Sequence, residues 1–310
     1  MYITRLKHQV SQQELFVYKE ELPHQWKKVQ DSSLHLFELL AMSKSELDNA
    51  SSDQNINEEE YSTALAFKPT AYRDFMLYEK HAIDAARGFV KKYIPHLLPI
   101  VTGYEKLFNK PFPKLKPSTR YFQFPIYYLG NHLNIVGDKT LISIPEYTRQ
   151  LDYELEIAAF ITKPLKNATP KQAKEAIGGF LILNDFSARD VQLDEIKTGF
   201  GPMKTKNFAS SLSTLIVSKK KILTEIDKLI AKVYINDELI AEACTGGKLY
   251  SFEQAIAYAS WEEQLHPGEL FGSGTVPGCT GIENGRMLNK GDSIRLEVDL
   301  LGSLENSIKQ

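Results

Sequence analysis

The stretch Leu151-Asp152-Tyr153-Glu154-Leu155-Glu156-Ile157-Ala158-Ala159-Phe160-Ile161 opens as a strict alternation of apolar and acidic residues and ends as an unbroken apolar run. Side chains of an extended strand point to alternate faces, so Asp152, Glu154 and Glu156 share one face while Leu151, Tyr153, Leu155 and Ile157 share the other. Like charges two residues apart on a strand stand about 6.6 to 6.8 Å from one another and repel. The apolar continuation argues against a face simply open to water. Two readings follow: a solvated acidic face, as on any half-exposed antiparallel strand, or carboxylates gathered around a hard divalent cation.

A second acidic segment favours the cation. Gly178-Gly179-Phe180-Leu181-Ile182-Leu183-Asn184-Asp185 reads as a short buried strand ending on a carboxylate, and Phe186-Ser187-Ala188-Arg189-Asp190-Val191-Gln192 as the opening of a helical turn. Polar residues at the mouth of a buried strand are where sites are commonly built.

Composition narrows the class. The 310 residues are 43% hydrophobic and 25% charged, as expected of a soluble globular chain with a substantial core. A formal net charge of -2 gives no pull toward nucleic acid or an anionic membrane, and neither partner is expected. Cys244 and Cys279 form no Cys-x-x-Cys or zinc-finger pattern, which fits free thiols in a reducing compartment. The opening Met1-Tyr2-Ile3-Thr4-Arg5-Leu6-Lys7-His8 has no basic-then-apolar signal pattern, and no run is long enough to span a bilayer. A cytoplasmic location is the expectation.

Along the chain, the almost wholly polar residues from Ser43 to Glu60 read as a loop or linker. They follow a helix expected around Asp31 to Met42. An N-terminal segment over 1–68 and a main domain over 69–310 are expected, the first too short to be stable by itself and so packed on the second. Phe75, Tyr78, Ala82, Ala85, Ala86 and Phe89 recur at spacings of three and four, predicting a helix from Tyr72 to Tyr93 with Asp74 and His81 on one stripe. Pro111 to Thr140 mixes loops with short strands. Thr169-Pro170 opens a helix that Gly178-Gly179 closes, and Ser251-Phe252-Glu253-Gln254 carries a capping-box pattern. Short β-type runs follow at Ser213–Val217, Ile230–Ile235, Glu238–Ala243 and Ser293–Leu300. The class is α+β, strand-heavy in its second half, without regular βαβ alternation.

Five motifs taken in order resemble the fumarylacetoacetate hydrolase family from about Tyr72 onward. They are Arg73-Asp74-Phe75 with His81, Asp152-Tyr153-Glu154-Leu155-Glu156, Asn184-Asp185-Phe186-Ser187-Ala188-Arg189-Asp190-Val191-Gln192, Lys206-Asn207-Phe208, and Gly272-Ser273-Gly274-Thr275-Val276. The resemblance implies a mixed β-roll, usually a homodimer, holding Mg²⁺ or Ca²⁺ at Asp74, Glu154, Glu156 and Asp185. All-oxygen ligation suits such a cation. Asp152 lies on the same strand face but has no place in the family pattern.

The resemblance also implies His81 as catalytic base and Glu283 as the carboxylate that orients it, although the Gly278–Glu283 loop is shorter than in the hydrolase proper. On a helix, Asp74 and His81 would be two turns apart, about 10.5 Å of rise, and could face one cavity from opposite ends. Lys206 matches a site lysine able to offset carboxylate charge or stabilise a carbanion; a surface lysine is the alternative. Arg189 is a substrate contact or an ion-pair partner, Gln192 a substrate hydrogen-bonder, and Thr275 a backbone or carboxylate contact. Two positions depart from the family: Val90, beside Lys91, replaces an arginine that grips the substrate's far carboxylate, and Ser210 replaces a threonine near the metal.

The reaction implied is hydrolytic cleavage of a carbon-carbon bond in a β-diketo acid, fumarylacetoacetate or a related acylpyruvate. Decarboxylation or enol-keto isomerisation of a 2-oxo acid at the same site is the alternative, and a non-catalytic cation-binding protein is a third reading. No Gly-x-Ser-x-Gly elbow offers a serine nucleophile.

Overall fold

A computed structural model describes residues 1–21, 25–30 and 35–310 of the chain. Its centre is the pair of strands that the acidic motifs introduce. Seven strands of the large sheet are labelled here in chain order: β1 (Tyr2–His8), β2 (Tyr72–Phe75), β3 (Tyr127–Gly130), β4 (Leu155–Ile161), β5 (Ile177–Asn184), β6 (Ile216–Ser218) and β7 (Leu270–Gly272). Strands β4 and β5 pair antiparallel, with Leu155 opposite Asn184 and Ala159 opposite Phe180. Every residue of both strands is buried, because each face has its own core. Ile157, Ala159, Phe180 and Ile182 enter one cluster with Val233 and Leu296. Ala158, Phe160, Leu181 and Leu183 enter another with Ile3, Tyr18, Leu39 and Phe67. Period-two alternation with both faces covered explains why the strands read as continuous apolar runs.

From β1 the sheet runs β6, β5, β4, β7, β2, β3. All neighbours are antiparallel except β7 and β2, which are parallel. Strands Glu14–Lys19, Lys27–Val29 and Ser51–Asn55 extend it beyond β1. A second sheet, built from Glu238–Cys244, Ile230–Ile235, Ser293–Val298, Gly302–Ile308 and Leu141–Ile142, packs on the first through the cluster that holds Ile182 and Val233. The helices that matter to the site are α1 (Glu79–Tyr93), α2 (Leu98–Phe108), α3 (Arg189–Lys197) and α4 (Gly281–Asn284). The architecture is mixed α+β. Among the described residues no helix is long and apolar enough to cross a membrane.

Several local expectations differ from the structure. The helix predicted from Tyr72 starts only at Glu79, because Tyr72–Phe75 is a fully buried strand held between β7 and β3. The three-and-four spacing of Phe75, Tyr78 and Ala82 persists across a strand-to-helix junction and imitates one helix. The polar stretch from Ser43 is no linker. Ser43 and Glu46 form a capping box that starts the helix Lys44–Asn49, and Ser51–Asn55 is a paired strand. Gly178 and Gly179 lie inside β5 rather than closing a helix: Pro170–Ala176 ends at Ile177, whose extended ψ of 126° leads directly into the strand. The expected helix near Asp31 spans Leu36–Ala41, with residues 31–34 outside the described residues. The run expected over Ser213–Val217 divides into Ser210–Leu212 and β6. The capping box at Ser251 and Gln254 forms as read, with Ser251 N donating to Gln254 Oε1 at 2.8 Å.

Candidate metal and acid-base site

The parallel pairing of β7 with β2 puts Gly272 beside Asp74, and the antiparallel pairing with β4 puts Gly272 opposite Ala158, one strand pitch from Glu156. Asp185 follows the last residue of β5. Three strands from distant parts of the chain thus bring Asp74, Glu156 and Asp185 together, with one carboxylate oxygen of each inside a 4.8 Å span. Gly272 makes that approach possible: a Cβ there would stand 2.5 Å from Asp74 Oδ1 and 2.7 Å from Glu156 Oε2. Burial, then repulsion from Asp185, pushes the Asp74 carboxyl up to about 8. Burial, then Asp74 and Asp185, pushes Glu156 well above the usual carboxylate range.

These residues fit a hard divalent cation. Asp74 Oδ1 and Glu156 Oε1 are buried and have no hydrogen-bond donor among the described residues. Buried carboxylate oxygens without donors are costly unless a cation faces them. Asp185 is held in place from both sides: Tyr128 OH donates to Oδ2 at 2.7 Å and Ser210 Oγ to Oδ1 at 3.0 Å.

Glu154, the fourth carboxylate of the expected ligand set, is engaged differently. Its oxygens accept from Arg189 Nη2 and Lys206 Nζ, and Lys206 Nζ also donates to Asp185 Oδ2 at 2.5 Å. Burial alone would raise the Glu154 carboxyl, but Lys206 and Arg189 outweigh it and hold the group well below the usual range. Conversely, burial works against the Lys206 charge, while Asp185 and Glu154 keep it protonated above the usual lysine value. Lys206 is buried at the site rather than on the surface. Glu195 of α3 fixes its approach by accepting from the backbone N–H groups of Met203, Lys204 and Thr205.

Arg189 directs its donors to protein groups: Nε to Asp152 at 2.7 Å, Nη1 to Gln192 Oε1 at 2.9 Å, and Nη2 to Glu154 and to Thr280 Oγ1. Gln192, oriented through its carbonyl oxygen, keeps its amide N–H groups for another acceptor. Thr275 is 1% exposed, and its buried hydroxyl has no partner among the described residues.

His81 stands in the first turn of α1, joined to Asp74 by the short connection Met76–Tyr78 rather than by two helical turns. Its Nδ1 pairs with Glu283 Oε1, both side chains being 6% exposed, and the other Glu283 oxygen accepts from Gly278 N at 2.7 Å. The shorter loop therefore still delivers Glu283 to His81. Thr280, three residues before Glu283, bridges to Glu154 through the backbone and accepts from the same Arg189 Nη2 that bonds Glu154, which puts the pair at the edge of the acid cluster. Val90 packs with Ile83, Val101 and Leu115 against α2, and Lys91 is exposed.

Reasoning from sequence missed Tyr128. It lies opposite Asp74 in the β2–β3 pairing and bonds Asp185. The available signal was the pair Tyr127-Tyr128, since consecutive strand residues must face opposite sides and one of the two has to meet the site.

Residues 105–309 match the fumarylacetoacetate (FAA) hydrolase C-terminal family model, a span that begins after Asp74 and His81. The chain is 28% identical over 243 residues to the mitochondrial oxaloacetate tautomerase fahd2 of Xenopus laevis, covering 74% of this chain and 73% of that one. Its fold matches a fumarylacetoacetate hydrolase from psychrophilic Exiguobacterium antarcticum with a TM-score of 0.73 at 19% identity, over 100% of this chain and 99% of that one. It also matches a fumarylpyruvate hydrolase from Pseudomonas aeruginosa, solved with Mn²⁺ and pyruvate, with a TM-score of 0.57 at 17% identity over 83% and 92% of the two chains. On the family match over most of its length, the chain belongs to the fumarylacetoacetate hydrolase family.

Proposed function

We propose that this protein is a divalent-cation-dependent hydrolase that cleaves a carbon-carbon bond in a β-diketo acid, fumarylacetoacetate or a related acylpyruvate, and that it works as a homodimer. The observation that carries the reading is the buried His81–Glu283 pair beside a buried acid cluster. Asp74, Glu156 and Asp185 would hold Mg²⁺ or Ca²⁺, with Glu154 adjacent. Such a cation supplies polarisation of the keto-enol oxygens of a 2-oxo acid.

The chain's own groups account for the proton movements. Glu283 accepts from His81 Nδ1–H, which leaves Nε2 as the base that takes a proton from water. Hydroxide adds to the carbonyl carbon of the acyl group, the bond to the neighbouring carbon breaks, and its electron pair leaves with the keto-acid fragment, which is pyruvate for an acylpyruvate and acetoacetate for fumarylacetoacetate. The Lys206 ammonium offsets that negative charge. The Gln192 amide and the Thr275 hydroxyl are the donors available to fix the fragment's oxygens. The imidazolium returns a proton to the carbanion, which restores His81. With Val90 turned to α2 and the one arginine of α1, Arg87, paired with Asp84 and Glu105, α1 leaves no free guanidinium for a second carboxylate, which favours an acylpyruvate without one over fumarylacetoacetate itself.

A second reading, enol-keto isomerisation or decarboxylation of a 2-oxo acid, is favoured by the similarity to an oxaloacetate tautomerase. Steady-state assays with Mg²⁺ against fumarylacetoacetate, a set of acylpyruvates and oxaloacetate, run beside His81→Ala and Glu154→Ala, separate the two. Cleavage of a diketo acid that both substitutions abolish supports the hydrolase. Turnover of oxaloacetate only, or full activity in His81→Ala, sinks the water-activating role and leaves the second reading.

A further inference from the structure

Asp152 is the third acid of the alternating motif, yet it takes no part in the acid cluster. It is fully buried and accepts from donors on three elements. Oδ1 accepts from Tyr153 N at 2.8 Å and Gly281 N at 2.7 Å. Oδ2 accepts from Ile282 N at 2.9 Å, Thr280 Oγ1 at 2.9 Å and Arg189 Nε at 2.7 Å. The turn it holds, Thr280–Ile282, is the segment directly before Glu283. Gly281 permits the contact, since a Cβ there would stand 2.5 Å from Asp152 Oδ1. Helix α1, which carries His81, packs on the same turn, with Gly88 against the Ile282 carbonyl.

We propose that Asp152 is a positioning residue for the His81–Glu283 pair, its carboxylate locking the Thr280–Ile282 turn to Arg189 so that Glu283 meets His81 in a fixed geometry. The role follows from what surrounds it. A carboxylate whose two oxygens both face donors cannot be replaced by an amide without turning an NH₂ toward N–H groups, whichever way the amide is rotated. The turn would then move, and Glu283 with it. Thr280 Oγ1 stands between the two anchors, accepting from Arg189 Nη2 at 3.0 Å while donating to Asp152. The inference rests on the reading of His81 and Glu283 as an acid-base pair.

The test uses the whole 310-residue chain in three forms: wild type, Asp152→Asn and the milder Thr280→Val. The primary readout is the downfield proton NMR resonance of the His81 Nδ1–H bonded to Glu283, assigned by its loss in His81→Ala. Tm, Mn²⁺ affinity by water-proton relaxation, and kcat with KM on whichever 2-oxo acid the wild type turns over complete the set. The expected result is loss of the resonance in Asp152→Asn and a shifted, broadened resonance in Thr280→Val. In Asp152→Asn kcat falls about 100-fold, of the order of a general base's contribution, while KM and Mn²⁺ affinity stay within about threefold. A wild-type resonance and kcat with only a lowered Tm would reduce Asp152 to a structural residue and overturn the proposal. So would a loss of Mn²⁺ affinity as large as the loss of kcat, which would mean that Asp152 acts on the acid cluster through Arg189 and Glu154. If Asp152→Asn does not fold, an unchanged resonance in Thr280→Val overturns the proposal and an altered one supports it. If the resonance is lost in Asp152→Asn while the wild type turns over none of the acids, the positioning role stands and the proposed reaction falls.

Discussion

Removing the imidazole of His81 takes away a base, and Glu283, though it loses that partner, still accepts from Gly278 N. His81→Ala is therefore expected to lower cleavage by about 10² to 10⁴-fold with Tm within a few degrees of wild type, read by steady-state kinetics and thermal melts. An equal loss in both would argue for a structural histidine. Lys206→Met predicts the opposite balance. It leaves Glu154 and Asp185 with an uncompensated buried charge, and breaking a buried pair from one side costs about 3 to 5 kcal/mol, so chemical denaturation should show a large loss of stability in metal-free protein. A change below about 1 kcal/mol would mean that the ammonium is not paired as described. At this scale the acids were legible because a strand pleat forces alternate residues onto one face. The division of labour among them was not. Whether Asp152, Glu154 or Glu156 faces a cation or a guanidinium depends on Arg189 and Lys206, which lie 37 residues from Asp152 and 52 from Glu154 along the chain.

The close approach of β2, β7 and β4 is what concentrates the carboxylates, and it hinges on one residue without a side chain. Gly272→Ala would push a methyl group into Asp74 and Glu156, whose oxygens would lie only 2.5 and 2.7 Å from it. Mn²⁺ affinity measured by calorimetry is expected to fall at least about 10-fold, the scale on which disturbed ligand positioning acts, while far-ultraviolet circular dichroism stays unchanged. Undiminished affinity would show that the cation, if bound, sits elsewhere. Local signals did read several elements correctly, including the capping box at Ser251 and the strand that ends before Asp185. They failed where pairing partners decide. Tyr72–Phe75 becomes a strand because β7 and β3 flank it, although its apolar spacing runs on into α1. The Ser43-Lys44-Ser45-Glu46 capping box was present inside a stretch whose polarity reads as linker, and there the start signal outweighs composition.

For the molecule as a whole, the acid cluster ties stability to pH and to the cation. The Asp74 carboxyl is raised to about 8 in the folded chain, against about 4 when unfolded. Between those values the native state binds more protons than the unfolded state, so its contribution to stability is fully present below about pH 4 and is lost as pH rises toward 8. Glu156, raised for the same reason, adds in the same direction. Glu154, held low by Lys206 and Arg189 against its burial, has the opposite sign, but its contribution is lost only below the usual carboxylate range and does not mask the first. Metal-free protein should therefore lose stability between about pH 5.5 and 8, and Asp74→Asn should flatten that slope. A cation must displace the protons, so affinity should rise and protons be released on binding as ligands ionise. At a cation concentration 100-fold above Kd the stabilisation is about 2.7 kcal/mol, and it should be larger at pH 8 than at pH 5.5 relative to the metal-free protein under a fixed cation concentration. Melting curves at both pH values, with and without Mn²⁺, measure all of this in one experiment. If Mn²⁺ shifts Tm equally at both, protons and cation do not compete, and Asp74, Glu156 and Asp185 are not the ligands.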